Sequence, residues 1–344
     1  MTVLDSDATL LGKPVIKGIY PWLVPYRREW QKLAFQKQLP HAVLIRGISG
    51  SGKKALALAL AADLLCESAL DQGHTHEACG ECAGCQLLAA GNHPDFYAVM
   101  PLGQFIKVTQ IREVSSALSL SAHRGGYKVV IIESAGQMNL AAANALLKTL
   151  EEPADRTCLV LIAAESDRLL PTIASRCRLM PVKPPAASAL AQWLGKTDNI
   201  TQQALIVSGG APLLAKEWLM ADRLANFMQL MNDLASLISN TGQDRIMTIA
   251  QQWQDVLDDQ WWQALYRYLL HLQAVYAGVK EPLPGEHALV NQMAPVLHNS
   301  EIMRKKMQQL AYLRQHWSSV LKKGLLFEEF LINWSHSALP ESSL

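Results

Sequence analysis

The sequence predicts an α/β domain on a parallel sheet, with helices on both faces, followed by helical domains to the C-terminus. Three observations predict it. Short apolar runs of strand length alternate with helical stretches between about residues 20 and 183. The first such run leads straight into a glycine-rich loop. Beyond the adjacent prolines Pro184 and Pro185 every segment reads helical. Near-continuous apolar strands separated by helices belong to parallel sheets covered on both faces, and ligands bind there at the carboxyl ends of the strands.

Residues 1–19 carry no periodic pattern and read as a flexible leader. HAVLIRG (41–47) reads as a buried strand, and KALALALAADLLC (54–66) as a helix apolar nearly all round. DFYAVMP (95–101) is a strand closed by Pro101, and VTQIREVSSAL (108–118) a helix with Thr109 as its expected N-cap. YKVVIIE (127–133) and TCLVLIAAE (157–165) are buried strands. Between them NLAAANALLKTLEEP (139–153) is a helix with an asparagine start and a proline stop. RLLPTIASRCRLMPV (168–182) gives a short helix and a last strand. A small helical region runs over 184–222, broken at Gly209 and Gly210. A larger one runs over 223–344, where Trp253, Trp261, Trp262, Trp317 and Trp334 are expected to fill a helix-bundle core.

The bulk properties narrow the function. The chain has 344 residues, 50% hydrophobic and 18% charged, with a net charge of +1, so it is globular. A free-standing nucleic-acid binder would carry a basic excess that this chain lacks. The run Ala55 to Cys66 is too short to span a bilayer and is interrupted by Asp63, and no secretory signal stands at the N-terminus. A cytoplasmic location with reduced cysteines is expected.

Residues 47–54 read GISGSGKK, against the phosphate-loop pattern G-x-x-x-x-G-K-[ST]. Gly47, Gly50 and Gly52 permit the tight backbone, and Lys53 is the lysine that reaches outer phosphates. The final position holds Lys54, where a hydroxyl should ligate magnesium. The second magnesium position, at the end of the strand 127–133, holds Glu133 in place of aspartate. Ser134 follows, and a serine there is no general base. The loop therefore reads as a degenerate ATP and magnesium site, and the rival reading is a plain glycine-rich turn. Four cysteines form a second group, Cys66, Cys79, Cys82 and Cys85, spaced C-x12-C-x2-C-x2-C. Tight turns of this kind bring thiolates to one tetrahedral ion, and four close its shell, so a structural zinc module at 66–85 is expected. A redox pair and an iron–sulfur cluster are its rivals. Gly80 and Gly84 suit knuckle turns. His74, His76 and His93 read as surface residues, and Cys158 and Cys177 as buried thiols.

The order of these motifs carries a resemblance. After the loop and the cysteine module come GNHPD (91–95), NALLKTLEEP (144–153) and SRC (175–177), then a helical lid and a helical C-terminal domain. The chain resembles the clamp-loader branch of the AAA+ family from about Tyr20 onward, most closely over 41–178. The resemblance implies domains at 20–183 (AAA+), 184–222 (lid) and 223–344 (oligomerisation collar). It implies a subunit of a pentameric arc, with motor ATPase subunits among its neighbours, that places a sliding clamp on primed DNA. Such an arc belongs to a DNA-directed DNA polymerase holoenzyme. It also implies that Arg176 of SRC reaches the outer phosphate of a neighbour's ATP, as an arginine finger in trans.

Departures from the motor pattern at Lys54, Ser134, Ala163–Ala164 and Ala211–Pro212–Leu213 imply a non-hydrolysing, stator-like subunit. The retained Gly52 and Lys53 leave an active motor subunit as the alternative. Asn144, Lys148 and Glu151 fall on the outer face of their helix, either as a solvated surface or facing a neighbour or DNA.

Overall fold

The computed structural model describes residues 19–68, 77–195, 198–220, 222–239, 242–317 and 323–336. Residues 1–18 of the expected leader lie outside these, as do His74 and His76. The chain divides into two compact units, Met1–Pro184 and Pro185–Leu344.

The first unit begins with a 3-10 turn, Pro21–Leu23, and α1, Val24–Phe35, which starts on a proline at its first turn. The strands are β1 (Ala42–Gly47), β2 (Phe96–Val99), β3 (Lys128–Ile132), β4 (Thr157–Ala164) and β5 (Arg178–Val182). All pair in parallel in the order β2-β3-β4-β1-β5. Between them run α2 (Lys53–Leu65), α3 (Ala83–Ala89), α4 (Val108–Leu118), α5 (Leu140–Glu151) and the single turn α6 (Pro171–Ala174).

Strand periodicity divides the core in two. Val43, Ile45, Val129, Ile131, Val160 and Ile162 pack on one face with the apolar side of α2 and with Trp30 of α1. Ala42, Leu44, Val130, Ile132, Leu159 and Leu161 face the other way, onto α4 and α5. The central strands β1, β3 and β4 are thus apolar at consecutive positions because both faces are covered, whereas the edge strand β5 exposes Arg178, Leu179 and Pro181.

Two helix starts test the capping expectations. Asn139 caps α5, its side chain accepting from Ala142 N–H at 2.8 Å. Thr109 does not cap α4 and lies inside the helix. The cap position is Lys107, whose N–H donates to the Gln110 side chain at 3.0 Å. A glutamine at the third helical position satisfies the exposed donor, so no hydroxyl is needed.

The second unit contains α7 (Ala187–Leu194), α8 (Asn199–Ser208), α9 (Pro212–Met220), α10 (Arg223–Ser239), α11 (Gln243–Trp253), α12 (Asp259–Tyr276), α13 (Glu286–Leu297), α14 (Ser300–His316) and α15 (Lys323–Ser335). Gly209 and Gly210 separate α8 from α9, both in the left-handed region. Ala204, Val207, Ala215 and Trp218 belong to the same apolar cluster as Trp253, Trp261, Trp262, Trp317 and Trp334. The helices before and after residue 222 therefore share one core. The Trp317 and Trp334 indole N–H groups are satisfied by the carbonyls of Leu257 and Leu234, at 2.8 and 2.9 Å. A buried carboxylate, Glu286, accepts from Tyr268 Oη at 2.6 Å and Leu283 N–H at 2.8 Å, with His271 Nε2 at 3.0 Å. Burial would raise its pKa, but these partners outweigh burial and hold it below the usual carboxylate value.

Candidate nucleotide loop and metal centre

The glycine loop leaves β1, whose last residue Gly47 is paired with Ala164 of β4 on one side and Val182 of β5 on the other. It ends at Gly52, which caps α2 with φ +88°. A Cβ at Gly52 would stand 2.9 Å from Tyr20 Cδ2 and 3.1 Å from Leu23 Cδ1, so both conformation and space demand glycine. Tyr20 stacks on Trp22 with ring centroids 5.0 Å apart, and Trp22 Nε1 donates to Ser51 O at 2.9 Å. The segment before α1 thus walls one side of the loop, a feature invisible in the motif itself.

Lys53 is buried. Its ammonium donates to the loop carbonyls of Gly47 at 2.8 Å and Ile48 at 2.7 Å. Burial pushes its pKa down, against the carboxylates of Asp167 and Glu165, which push it up. Sequence reading missed these two acids, which follow β4 and carry no motif. Asp167 is fixed there by accepting from Ala164 N–H at 2.7 Å.

Lys54 and Glu133 come together. The Lys54 ammonium lies 3.2 Å from Glu133 Oε2, and both side chains are half-buried. Lys54 stands where the pattern puts a magnesium-binding hydroxyl, and Glu133 where the second magnesium ligand would stand. These residues do not fit magnesium. An ammonium offers a cation no lone pair, and the Glu133 carboxylate is already paired with Lys54. Ser134 follows in the left-handed region, at φ +56°, which costs a serine about 1–2 kcal/mol.

Arg176 lies between α6 and β5. Its Nη2 pairs with Glu151 Oε1 at 2.7 Å and its Nη1 donates to Thr172 O at 3.1 Å, with about a third of the side chain exposed. Glu151 is the last residue of α5, so the SRC and LEEP motifs meet in space. Asn144, Lys148 and Glu151 are exposed on the outer face of α5.

The four cysteines converge, all sulfurs lying within 4.8 Å of one another. Cys66 to Cys82 is 3.9 Å and Cys79 to Cys85 is 4.0 Å. Those separations exclude disulfides. They match the roughly 3.8 Å edge of a tetrahedron with ~2.3 Å metal–sulfur bonds. Backbone N–H groups point at the sulfurs: Glu81 and Cys82 at Cys79 Sγ (3.4 and 3.3 Å), Cys85 at Cys82 Sγ (3.4 Å) and Cys79 at Cys66 Sγ (3.4 Å). The N–H of Glu81, with that of Cys82, lowers the Cys79 thiol to about 6, whereas burial pushes Cys85 up. A buried thiol beside thiolates fits a site that holds a cation, which would ionise all four.

Gly80, at φ +78°, makes the knuckle turn. Gly84 does not. It sits in α3, where a Cβ would come within 2.4 Å of Leu65 O. His93 is not a surface residue; it is buried, and its Nδ1 accepts from Asp95 N–H at 3.1 Å. Cys158 and Cys177 are buried thiols whose pKa values burial pushes up, to about 12 and about 11.

The parallel sheet with its central glycine loop, the four-cysteine module that follows the loop helix, and the largely helical C-terminal part define an AAA+ type P-loop protein. A family model described as DNA polymerase III, delta subunit, matches residues 26–186. The protein named DNA polymerase III subunit delta' of Yersinia pestis is 33% identical over 350 residues, covering 93% of this chain and 98% of that one. Those of Pseudomonas aeruginosa and Escherichia coli K12, with the same name, are 43% and 42% identical, over 58% and 56% of this chain. The latter two matches span only 60% and 58% of those proteins' lengths. The chain belongs to the family of DNA polymerase III delta' subunits.

Proposed function

We propose that this chain is a non-hydrolysing subunit of a replicative DNA polymerase III clamp loader. It would sit in a pentameric arc beside motor ATPase subunits and delta. Arg176 would complete a neighbour's ATP site, while this chain itself turned over no ATP. The observation that carries the reading is the Lys54–Glu133 ion pair at 3.2 Å, which stands where a hydrolytic site needs magnesium. Further support comes from Arg176, which is partly exposed at the end of a short turn and held by Glu151. In that position its planar cation is presented outward and pre-oriented. The four-cysteine centre would hold a structural zinc, since four protein thiolates leave no open position for catalysis. The helices of 223–344 would form the oligomerising collar, those of 184–222 the lid, and the arc as a whole would act on the sliding clamp and primed DNA in the cytoplasm. Among the described residues no helix is long and apolar enough to cross a membrane.

The test is phosphate release from ATP by the purified chain with magnesium and primed DNA. No release above background is expected. Steady release that disappears in Lys53→Ala would instead make the chain a motor subunit.

A further inference from the structure

We infer that the cavity between α7, α8 and α12 is a binding site for a small amphipathic acid, a hydrocarbon body carrying one anionic group such as a carboxylate. All of its lining residues belong to the second unit, and none comes from the glycine loop or the cysteine centre. The site stands apart from the clamp-loader reading, which does not need it.

The cavity holds about 720 Å³, a size that takes a small molecule. Its walls are chiefly hydrocarbon: Ala191 of α7, Leu205 and Ile206 of α8, Leu270 of α12 and Leu283 beyond it. Two cations line it, Arg267 and Lys280, and no carboxylate does. The Arg267 guanidinium is half-buried and held in place. Its Nη1 donates to Val207 O at 3.1 Å and its Nη2 to Gln263 Oε1 at 3.3 Å. Gly209 makes room for it, since a Cβ there would stand 2.8 Å from Arg267 Nε. Both acceptors are neutral, so the charge is positioned but not neutralised. Burial, with Arg314 nearby, pushes the Arg267 pKa down, and an anion in the cavity would relieve that cost. His271 belongs to the same lining. Its Nε2 lies 3.0 Å from Glu286 Oε2, and its buried Nδ1 has no partner among the described residues. The class of occupant follows from this balance. A peptide brings an N–H and a carbonyl with every residue, each needing a partner, and apart from His271 the uncharged polar side chains of the lining are Ser188 and Gln202. A hydrocarbon with a single anionic group leaves nothing unpaired, its body on the apolar walls and its head on the cations.

The experiment is a calorimetric titration of the full chain with three probes of one chain length: decanoate below its micellar concentration, decanol and decyltrimethylammonium. Decanoate is expected to bind with one equivalent per chain, decanol about tenfold or more weakly for want of a charge-assisted hydrogen bond, and the cation not at all. Arg267→Gln should weaken decanoate by a similar factor and leave decanol unchanged. Lys280→Gln, at an exposed residue, should weaken decanoate less. Ser188→Trp, which fills the cavity from an exposed lining position, should abolish binding of decanoate and decanol alike. Thermal melts show which variants are folded, and the three probes with Ser188→Trp carry the test if Arg267→Gln is not. No decanoate binding, equal affinity for decanoate and decanol, or binding that survives Ser188→Trp overturns the inference. None of these results touches the non-hydrolysing reading, which phosphate release tests separately.

Discussion

Lys54 and Glu133 show how two replacements, each damaging to a hydrolytic site alone, are complementary together. A lysine in the place of a magnesium-ligating hydroxyl would place an unpaired cation beside the loop, and a glutamate without a metal would leave a half-buried anion. Paired at 3.2 Å, each offsets part of the other's desolvation cost. A second ion pair works at greater depth. Arg27 donates to Asp63 through Nε at 2.9 Å and Nη2 at 2.5 Å, and Asp63 also accepts from Gln31 Nε2 at 3.1 Å and Ala78 N–H at 2.8 Å. Asp63 interrupts the apolar helix α2 because it ties α1 and the start of the cysteine module to that helix. Asp63→Ala leaves a buried guanidinium whose one remaining carboxylate among the described residues is Glu77, at 3.2 Å. The loss should be about 3–5 kcal/mol in urea denaturation. A loss below about 1 kcal/mol would show that Glu77 compensates.

At the scale of elements, α2 carries the phosphate-loop lysine Lys53 at its start and is followed directly by Cys66, the first thiolate of the cluster. The module is therefore a clasp on the far end of the loop helix. Removing metal with a chelator should lower the thermal midpoint of the chain, with zinc restoring it, and purified protein should carry one equivalent of zinc. A folded, metal-free preparation of equal stability would refute the structural role.

This is also the scale at which the sequence was most legible. Strands buried on both faces announce themselves as unbroken apolar runs, Asn139 and Pro153 bracket α5, and cysteine spacing alone brought four sulfurs to one point. What escaped was set by contacts distant in the chain. His93 is buried because the GNHPD turn folds inward. The cap of α4 came from a glutamine rather than a hydroxyl. Gly84 is required by the approach of Leu65 O, not by a turn. Around the loop, the motif named the lysines and Glu133 but neither their pairing nor Tyr20, Trp22 and Asp167, which reach the loop from segments with no signature.

For the whole molecule, the chain divides into two compact units whose apolar clusters are separate, and it carries a net charge of +1. In this account the chain is a supplier: it gives a guanidinium to a reaction that it does not carry out. The direct test is the DNA-stimulated ATPase of the reconstituted clamp loader containing Arg176→Ala in this subunit alone, with assembly checked by size-exclusion chromatography. The account predicts an intact complex whose ATPase falls substantially, within the ~10³–10⁵ that such an arginine is worth at a single site and diluted by turnover at the other sites. An intact complex with unchanged ATPase would contradict it.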